Sequence, residues 1–256
     1  MIFKTRPEIQ KQFDTVFDFG IKNLIVSGCS FTYNWHNSAS VSWPYYLRDL
    51  GGFENVLDCS LPGAGNSHIT NSLQWALEVD RPAPAHSLVI VMWSGCDRDD
   101  YICSDSNDNK QYPFSFKYAD LVISGISGGM RAESIGNTIV GLKNLAQTKT
   151  LESRSIENYL YINGLWHYLK NKGYKFVFLN FLDGNLPSRT RHFDITKHLP
   201  TAIKNQYNSM LTKITDPYTW ALKNNLLADD DFHPSRGGHL DWTQKVLLPK
   251  LQTIIA

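Results

Sequence analysis

Short apolar runs, each closed by small or polar residues, recur along the chain. They occupy Asn23–Ser27, Asn55–Leu57, Ser87–Trp93 and Lys175–Leu182. Runs of this length that are rich in β-branched and aromatic residues and end in turn-forming residues are typical of buried strands. The pattern therefore predicts four buried strands that end in polar turns.

Amphipathic stretches lie between and after these runs. Trp43–Leu50 follows the first strand, and Ser67–Leu77 follows the second with its apolar residues at helical spacing. Further helices are predicted at Glu157–Lys170, Ala202–Ile214 and Gly237–Ile254. Strands that alternate with helices favour right-handed crossovers and a parallel sheet covered on both faces. The expected fold class is α/β.

The stretch from Tyr101 to Thr150 lacks this periodicity and is rich in Ser, Asn, Asp and Gly. We therefore predict an insertion at about 101–150. The whole chain, 1–256, is predicted to form a single domain, because 256 residues that are 42% hydrophobic can bury one substantial core. Loops of this length are more often functional than plain connectors. The insertion is therefore expected to help shape a substrate site.

The charge pattern narrows the range of partners. Lys plus Arg number 25 against 24 for Asp plus Glu, without a basic or acidic block. This balance argues against nucleic acid or an anionic membrane and favours a neutral or modestly polar small molecule. No apolar run is long enough for a membrane span, and Lys4, Arg6 and Glu8 stand where a signal peptide needs apolar residues. We expect a cytoplasmic protein, with a virion-associated protein as the alternative.

The cysteines indicate neither a metal site nor a disulfide framework. Cys29, Cys59, Cys96 and Cys103 lack the paired close spacing of zinc ligands, and four cysteines in a chain of this length are too few for a disulfide scaffold. Free thiols are expected, and no metal or organic cofactor is predicted.

Ser30, in the segment SGCSFT directly after the first strand, is the first candidate for chemistry. Ligands of open parallel sheets bind beyond the carboxyl ends of the strands. A serine at a tight turn there can present its Oγ while neighbouring backbone N–H groups face an anionic oxygen. The structural alternative is that Ser30 only caps the next helix.

The second candidate lies near the end of the chain, in DDDFHPSRGGH. Asp230 and His233 are three residues apart, so a single turn lets the carboxylate hold one imidazole nitrogen while the other faces a serine. The alternative is a surface histidine before a proline turn. His239 lacks a carboxylate three residues before it and is expected to be a packing residue.

Four segments together resemble the motifs of the SGNH (GDSL-like) hydrolase superfamily. GCSFT resembles the nucleophile block, and DDFHP resembles the Asp-x-x-His block. DCSLPGAGNS resembles the glycine block, which implies that the N–H of Gly63 is an oxyanion donor. WSGCD resembles the Gly-x-Asn-Asp block, and there the asparagine falls on Cys96. The SWP and GxGN segments are similar to bacteriophage-encoded members.

Cys96 departs from this pattern in a way that affects catalysis. The family's asparagine amide implies a further oxyanion donor, whereas a thiol donates weakly, and losing one such donor costs on the order of 100 to 1000-fold in rate. Ser94, Asn66 or Asn180 is expected to supply a substitute, and the sequence does not choose among them. Arg98 is a candidate clamp for a carboxylate or a sugar hydroxyl, with a local ion pair as the alternative.

The resemblance implies a three-layer α/β/α domain with a flavodoxin-like parallel sheet and a serine esterase activity. Ser30 would attack a small acyl ester, such as an acetyl group on a carbohydrate, to form an acyl-enzyme, with His233 and Asp230 completing a triad. Two other functions stay open. One is a non-catalytic SGNH-like domain that binds carbohydrate or forms part of a phage particle, and the other is a sugar O-acyltransferase.

Overall fold

A parallel sheet of four strands lies at the centre of the structure. The computed structural model describes residues 12–33, 41–95, 100–103, 121–124, 149–180, 196, 199–228 and 233–255, and all statements below refer to these residues. The strands are β1 (Asn23–Ser27), β2 (Asn55–Asp58), β3 (Ser87–Trp93) and β6 (Lys175–Asn180), in the spatial order β2-β1-β3-β6. All three pairings are parallel. This order is flavodoxin-like, as predicted.

Two further strands form a separate antiparallel pair. β4 (Asp100–Cys103) pairs with β5 (Leu121–Ser124), and neither joins the central sheet. The sequence pattern had not indicated strands here. Most of the predicted insertion at 101–150 lies outside the described residues, so that prediction stays a prediction.

Helices cover both faces of the sheet. They are α1 (Trp43–Leu50), α2 (Asn66–Asp80), α3 (Leu151–Lys172), α4 (Thr201–Met210), α5 (Pro217–Lys223), α6 (Arg236–Trp242) and α7 (Leu248–Ile255). A 3-10 turn, Pro84–His86, precedes β3, and a π-helical stretch, Thr243–Leu247, joins α6 to α7. α2 and α3 pack together on β1, β3 and β6, while α1 packs against β1, α6 and the π-helical stretch. The result is the expected three-layer α/β/α architecture.

The core lies on both sides of β3, whose seven residues are all buried. A parallel strand covered by helices on both faces has no solvent-facing side, which explains its continuous apolar sequence. Trp93 packs edge-to-face on Phe178 with ring centroids 5.1 Å apart, and Trp43 meets Trp242 at 6.0 Å. The first pair joins β3 to β6 within the sheet, and the second joins α1 to α6.

The helix α5 was not predicted, although its start follows a recognised sequence rule. The Asp216 side chain accepts a hydrogen bond from the Thr219 N–H at 2.8 Å, and Pro217 occupies the first turn. An aspartate N-cap followed by proline satisfies the free N–H groups of a helix start. Seven residues, however, are too few for a clear helical periodicity.

None of the helices in the described ranges is both long enough and apolar enough to cross a membrane. Among the same residues, no group of three or more His, Cys, Asp and Glu side chains is arranged to hold a metal ion. Cys29 and Cys59 are buried free thiols.

Candidate active site

A tight turn after β1 positions Ser30. The N–H groups of Thr32 and Tyr33 donate to the Cys29 carbonyl at 2.9 and 3.0 Å. The Ser42 hydroxyl donates to the Thr32 carbonyl at 2.9 Å and so ties this turn to the start of α1. Ser42, not Ser30, is the N-cap residue of α1. Ser30 is half-buried.

Gly28 keeps this turn close to β3. A Cβ at position 28 would lie 2.3 Å from Thr32 Oγ1 and 3.2 Å from the Met92 carbonyl oxygen. Neither atom belongs to a long side chain that could move aside. The absence of a side chain at Gly28 therefore sets the path of the backbone that leads to Ser30.

A short antiparallel contact positions His233. The Ala228 N–H donates to the His233 carbonyl at 2.8 Å, and the Ser235 N–H donates to the Leu226 carbonyl at 2.8 Å. Leu227 and Pro234 form the bridge between these two bonds. We call this arrangement, residues 226–228 with 233–235, the histidine clamp. It fixes the backbone of His233 directly before α6.

Ser30 and His233 meet although 203 residues separate them in sequence. His233 Nε2 lies 2.9 Å from Ser30 Oγ, which is hydrogen-bond distance. The imidazole also lies on the ring of Phe31, with centroids 4.7 Å apart and planes tilted by 33°. An imidazole nitrogen at this distance can accept the proton of a serine hydroxyl. Asp230, the predicted third member, lies outside the described residues.

The backbone N–H groups of Ser30 and Gly63, the expected oxyanion donors, belong to the turns after β1 and β2. Beyond β2, the Leu61 N–H donates to the Gly28 carbonyl at 3.0 Å, so the two loops run side by side. Gly63 then occupies a turn with φ +75°, closed by the Ala64 N–H and the Leu61 carbonyl at 3.1 Å. Within the described residues, the N–H groups of Ser30 and Gly63 donate to no acceptor.

Asn66 is not placed to act as the substitute oxyanion donor, and this expectation is corrected. One Nδ2 hydrogen is donated to the Ser94 carbonyl at 3.0 Å, and the other to Asn158 Oδ1 at 2.5 Å. An amide nitrogen has two hydrogens, so none is left for a substrate oxygen. Asn66 Oδ1 in turn accepts the Ser94 N–H at 2.8 Å.

Asn180 is also too distant for this role, whereas Ser94 stays a candidate. Asn180 ends β6, which lies two strands from β1 in the sheet. At a spacing of about 4.8 Å per strand, Asn180 is about 10 Å from the end of β1, where Ser30 follows. Its Oδ1 accepts a bond from the Tyr207 hydroxyl at 3.2 Å. Ser94 follows β3, beside β1, and its buried Oγ has no partner in the described part of the chain. Cys96 and Arg98 lie outside the described residues.

Sequence reasoning missed Asp100, whose carboxylate caps α2. It accepts hydrogen bonds from the Gly65 N–H and the His68 N–H, both at 2.8 Å, and from the Ser67 hydroxyl at 2.6 Å. A carboxylate at a helix N-terminus satisfies free N–H groups and favours the helix dipole. The sequence contained one indication of this cap. The residue before α2 is Gly65, which has no side chain, so another residue must cap the helix. Asp100 thus joins β4 to the loop that contains Gly63.

His239 is a buried packing residue of α6, as expected. It is 6% exposed, and burial together with the nearby His233 lowers the pKa of its imidazole to about 3. Its Nδ1 has no hydrogen-bond partner among the described residues. His239 is therefore neutral at physiological pH.

The parallel strand order and the helical layers form a flavodoxin-like α/β/α fold, which a solved structure with a TM-score of 0.50 shares. The esterase EstA from Pseudoalteromonas sp. matches with a TM-score of 0.50 and 11% identity, covering 91% of this chain and 96% of EstA. TesA matches at 0.48 with 14% identity over 91% and 99% of the two chains. A mutant of Axe2, an acetyl-xylooligosaccharide esterase from Geobacillus, matches at 0.47 with 15% identity over 91% and 95%. No protein-family model and no curated protein sequence matches the chain.

Proposed function

We propose that the protein is a serine esterase that hydrolyses a small acyl ester through an acyl-enzyme. The main support is the 2.9 Å contact between Ser30 Oγ and His233 Nε2 at the carboxyl edge of the parallel sheet. EstA, which shares the fold, is an esterase whose structure was determined with monoethylphosphonate as inhibitor. Phosphonates react with activated hydroxyl groups, so the same chemistry offers a direct probe of Ser30.

The reaction would proceed in two steps. His233 Nε2 takes the Ser30 proton as Oγ attacks the ester carbonyl, and the N–H groups of Ser30 and Gly63 stabilise the oxyanion. The imidazolium then gives its proton to the leaving alcohol, which yields the acyl-enzyme. Water, deprotonated by His233, attacks this ester and releases the acid, and the proton returns to Ser30. Asp230 would hold the imidazole and stabilise its charged form.

The expected substrate is a small acyl group, such as acetyl, on a carbohydrate. One support for this choice is the Asn180 amide at the carboxyl end of β6, whose Nδ2 donates to no described residue. An amide held by Tyr207 is suited to hydrogen-bonding a sugar hydroxyl. The cytoplasmic location and the similarity to bacteriophage-encoded members stay predictions of the sequence.

Turnover of p-nitrophenyl acetate tests the proposal. Ser30→Ala and His233→Ala should each lower kcat by at least about 1000-fold, because nucleophile and base act as one unit. Thermal unfolding of both variants would verify that they are folded. Equal turnover in the wild type and both folded variants would overturn the assignment.

The alternative function is a non-catalytic binding domain, which is suggested by Cys96 at the position of the family's asparagine. A fluorophosphonate probe distinguishes this alternative from the esterase. Labelling of Ser30 requires an activated hydroxyl, so the wild type should be labelled and His233→Ala should not. A wild-type protein that stays unlabelled and inactive would favour the binding domain instead. Product analysis with a sugar acceptor would separate hydrolysis from acyl transfer.

A further inference from the structure

A chain of buried side-chain amides joins the two strand ends that flank Ser30. Asn66 holds both backbone groups of Ser94: its Oδ1 accepts the N–H at 2.8 Å, and its Nδ2 donates to the carbonyl at 3.0 Å. Asn158 on α3 accepts the second Nδ2 hydrogen at 2.5 Å and donates to the Arg154 carbonyl at 2.8 Å. We call Asn66 and Asn158 the amide clamp.

The amide clamp is buried and its hydrogen bonds define one geometry. Asn66 is 2% exposed, Asn158 is 5% exposed and Ser94 is 9% exposed. A buried amide left without hydrogen-bond partners is unfavourable, so these side chains have a strong preference for this arrangement. Each bond also fixes which end of each amide is oxygen and which is nitrogen. The peptide at Ser94 therefore has little freedom to move relative to α2.

The position of the amide clamp relates it to oxyanion stabilisation. Asn66 begins α2, three residues after Gly63, and Asp100 fixes the same segment through the Gly65 N–H. Ser94 follows β3 on the other side of β1, just before the segment in which the family asparagine is replaced by Cys96. Asn66 is thus a direct side-chain link between the loop with the Gly63 donor and the end of β3.

We propose that Asn66 and Asn158 are positioning residues that hold the oxyanion-binding backbone of the proposed esterase in its reactive geometry. This inference rests on the proposed function. Preorganised donors stabilise a developing oxyanion only when they are already in place, and a misplacement of about 1 Å can cost about 100-fold in rate. The amide clamp acts through the positions of Gly63 and Ser94, without touching the substrate.

The test combines steady-state kinetics with titration of active sites by a fluorophosphonate. Asn66→Ala should lower kcat per titrated site about 10 to 100-fold and change KM less than about 3-fold, because the ground-state ester does not need the oxyanion donors. Asn158→Ala should lower kcat in the same direction by a smaller factor. Asn158→Asp, which retains an acceptor oxygen for Asn66, should restore part of the loss.

Asn55→Ala is the matched control. Asn55 Nδ2 donates to Asn23 Oδ1 at 3.0 Å across the opposite, amino edge of the sheet, so its loss should leave kcat unchanged. If both clamp variants retain the wild-type kcat per titrated site, the inference is overturned. The same holds if their activity falls only because fewer sites can be titrated. If Asn66→Ala fails to fold, the Asn158 variants decide. A wild type with neither turnover nor titratable sites would refute the proposed esterase itself.

Discussion

The absence of a side chain at Gly28 lets the turn that contains Ser30 pack closely against β3. A Cβ there would be 2.3 Å from Thr32 Oγ1 and 2.8 Å from Thr32 Cβ, so Gly28→Ala must push the turn apart. Overpacking of this kind costs about 1–3 kcal/mol. We expect a lower free energy of unfolding in urea and a lower kcat/KM for p-nitrophenyl acetate.

Gly164 offers the matched control for Gly28→Ala. It lies in the middle of α3, and a Cβ there would meet nothing within 4 Å. Alanine is favoured over glycine inside a helix by about 0.5–1 kcal/mol, so Gly164→Ala should stabilise the protein and leave kcat/KM unchanged. Equal stability of Gly28→Ala and the wild type would show that the turn can adapt.

Short sequence motifs singled out Ser30 and His233, and the structure brings these two side chains to 2.9 Å. Their catalytic roles stay predictions. The interpretation of Asn66 failed because the partners of an amide depend on tertiary packing. Asn158 is 92 residues away from Asn66, and no local pattern indicates which side chain will face it.

At the scale of elements, the histidine clamp depends on α6 packing closely behind it. A Cβ on Gly238 would lie 2.5 Å from the Leu226 carbonyl oxygen, which accepts the Ser235 N–H. Gly238→Ala must therefore move α6 or break that bond, and either change displaces His233. We expect a loss of stability of about 1–3 kcal/mol and a fall in kcat, measured by urea unfolding and p-nitrophenyl acetate turnover.

The neighbouring glycine separates this effect from a general change in helix stability. A Cβ on Gly237 would meet only Ser235 Oγ at 3.8 Å and Leu226 Cδ2 at 4.0 Å, which are ordinary contacts. Gly237→Ala should therefore match or exceed the wild type in stability and retain its kcat. If Gly238→Ala behaves like Gly237→Ala, close packing of α6 does not determine the position of His233.

Elements were predicted most accurately where turns bound them. β1, β3 and α1 have the predicted ends, because glycine, serine or proline limits each run. The last helix was predicted as continuous, but a π-helical stretch interrupts it after Trp242. There the Thr243 hydroxyl donates to the His239 carbonyl at 2.7 Å. A wider turn has no signature in apolar periodicity, so the sequence could not predict it.

At the scale of the whole molecule, the parallel sheet explains why residues from distant parts of the chain form one site. Every strand of the central sheet runs in the same direction, so the turns after β1, β2 and β3 meet at one edge. The contact of His233 with Ser30 places the segment before α6 at that edge too. Alternating strands and helices made this arrangement predictable, whereas the separate β4–β5 pair had no comparable signal.

The stability of the whole fold should also depend on the neutral state of His239. Its imidazole has a pKa of about 3 in the folded protein, because burial and His233 disfavour its charged form. In the unfolded chain a histidine has a pKa of about 6.5. Between pH 6.5 and 3 the unfolded state therefore binds more protons at this residue than the folded state. This difference reduces stability as the pH falls through that window.

His239→Leu should remove this contribution. The wild type is expected to lose up to about 1.4 kcal/mol per pH unit from His239 between about pH 6.5 and 3, in addition to what its other groups contribute. Urea unfolding at several pH values would measure the slope, and His239→Leu should show a shallower one. His167→Gln, at an exposed position on α3, controls for the loss of a histidine in general. Parallel slopes in the wild type and His239→Leu would mean that the buried imidazole accepts its proton without unfolding, through local opening of α6.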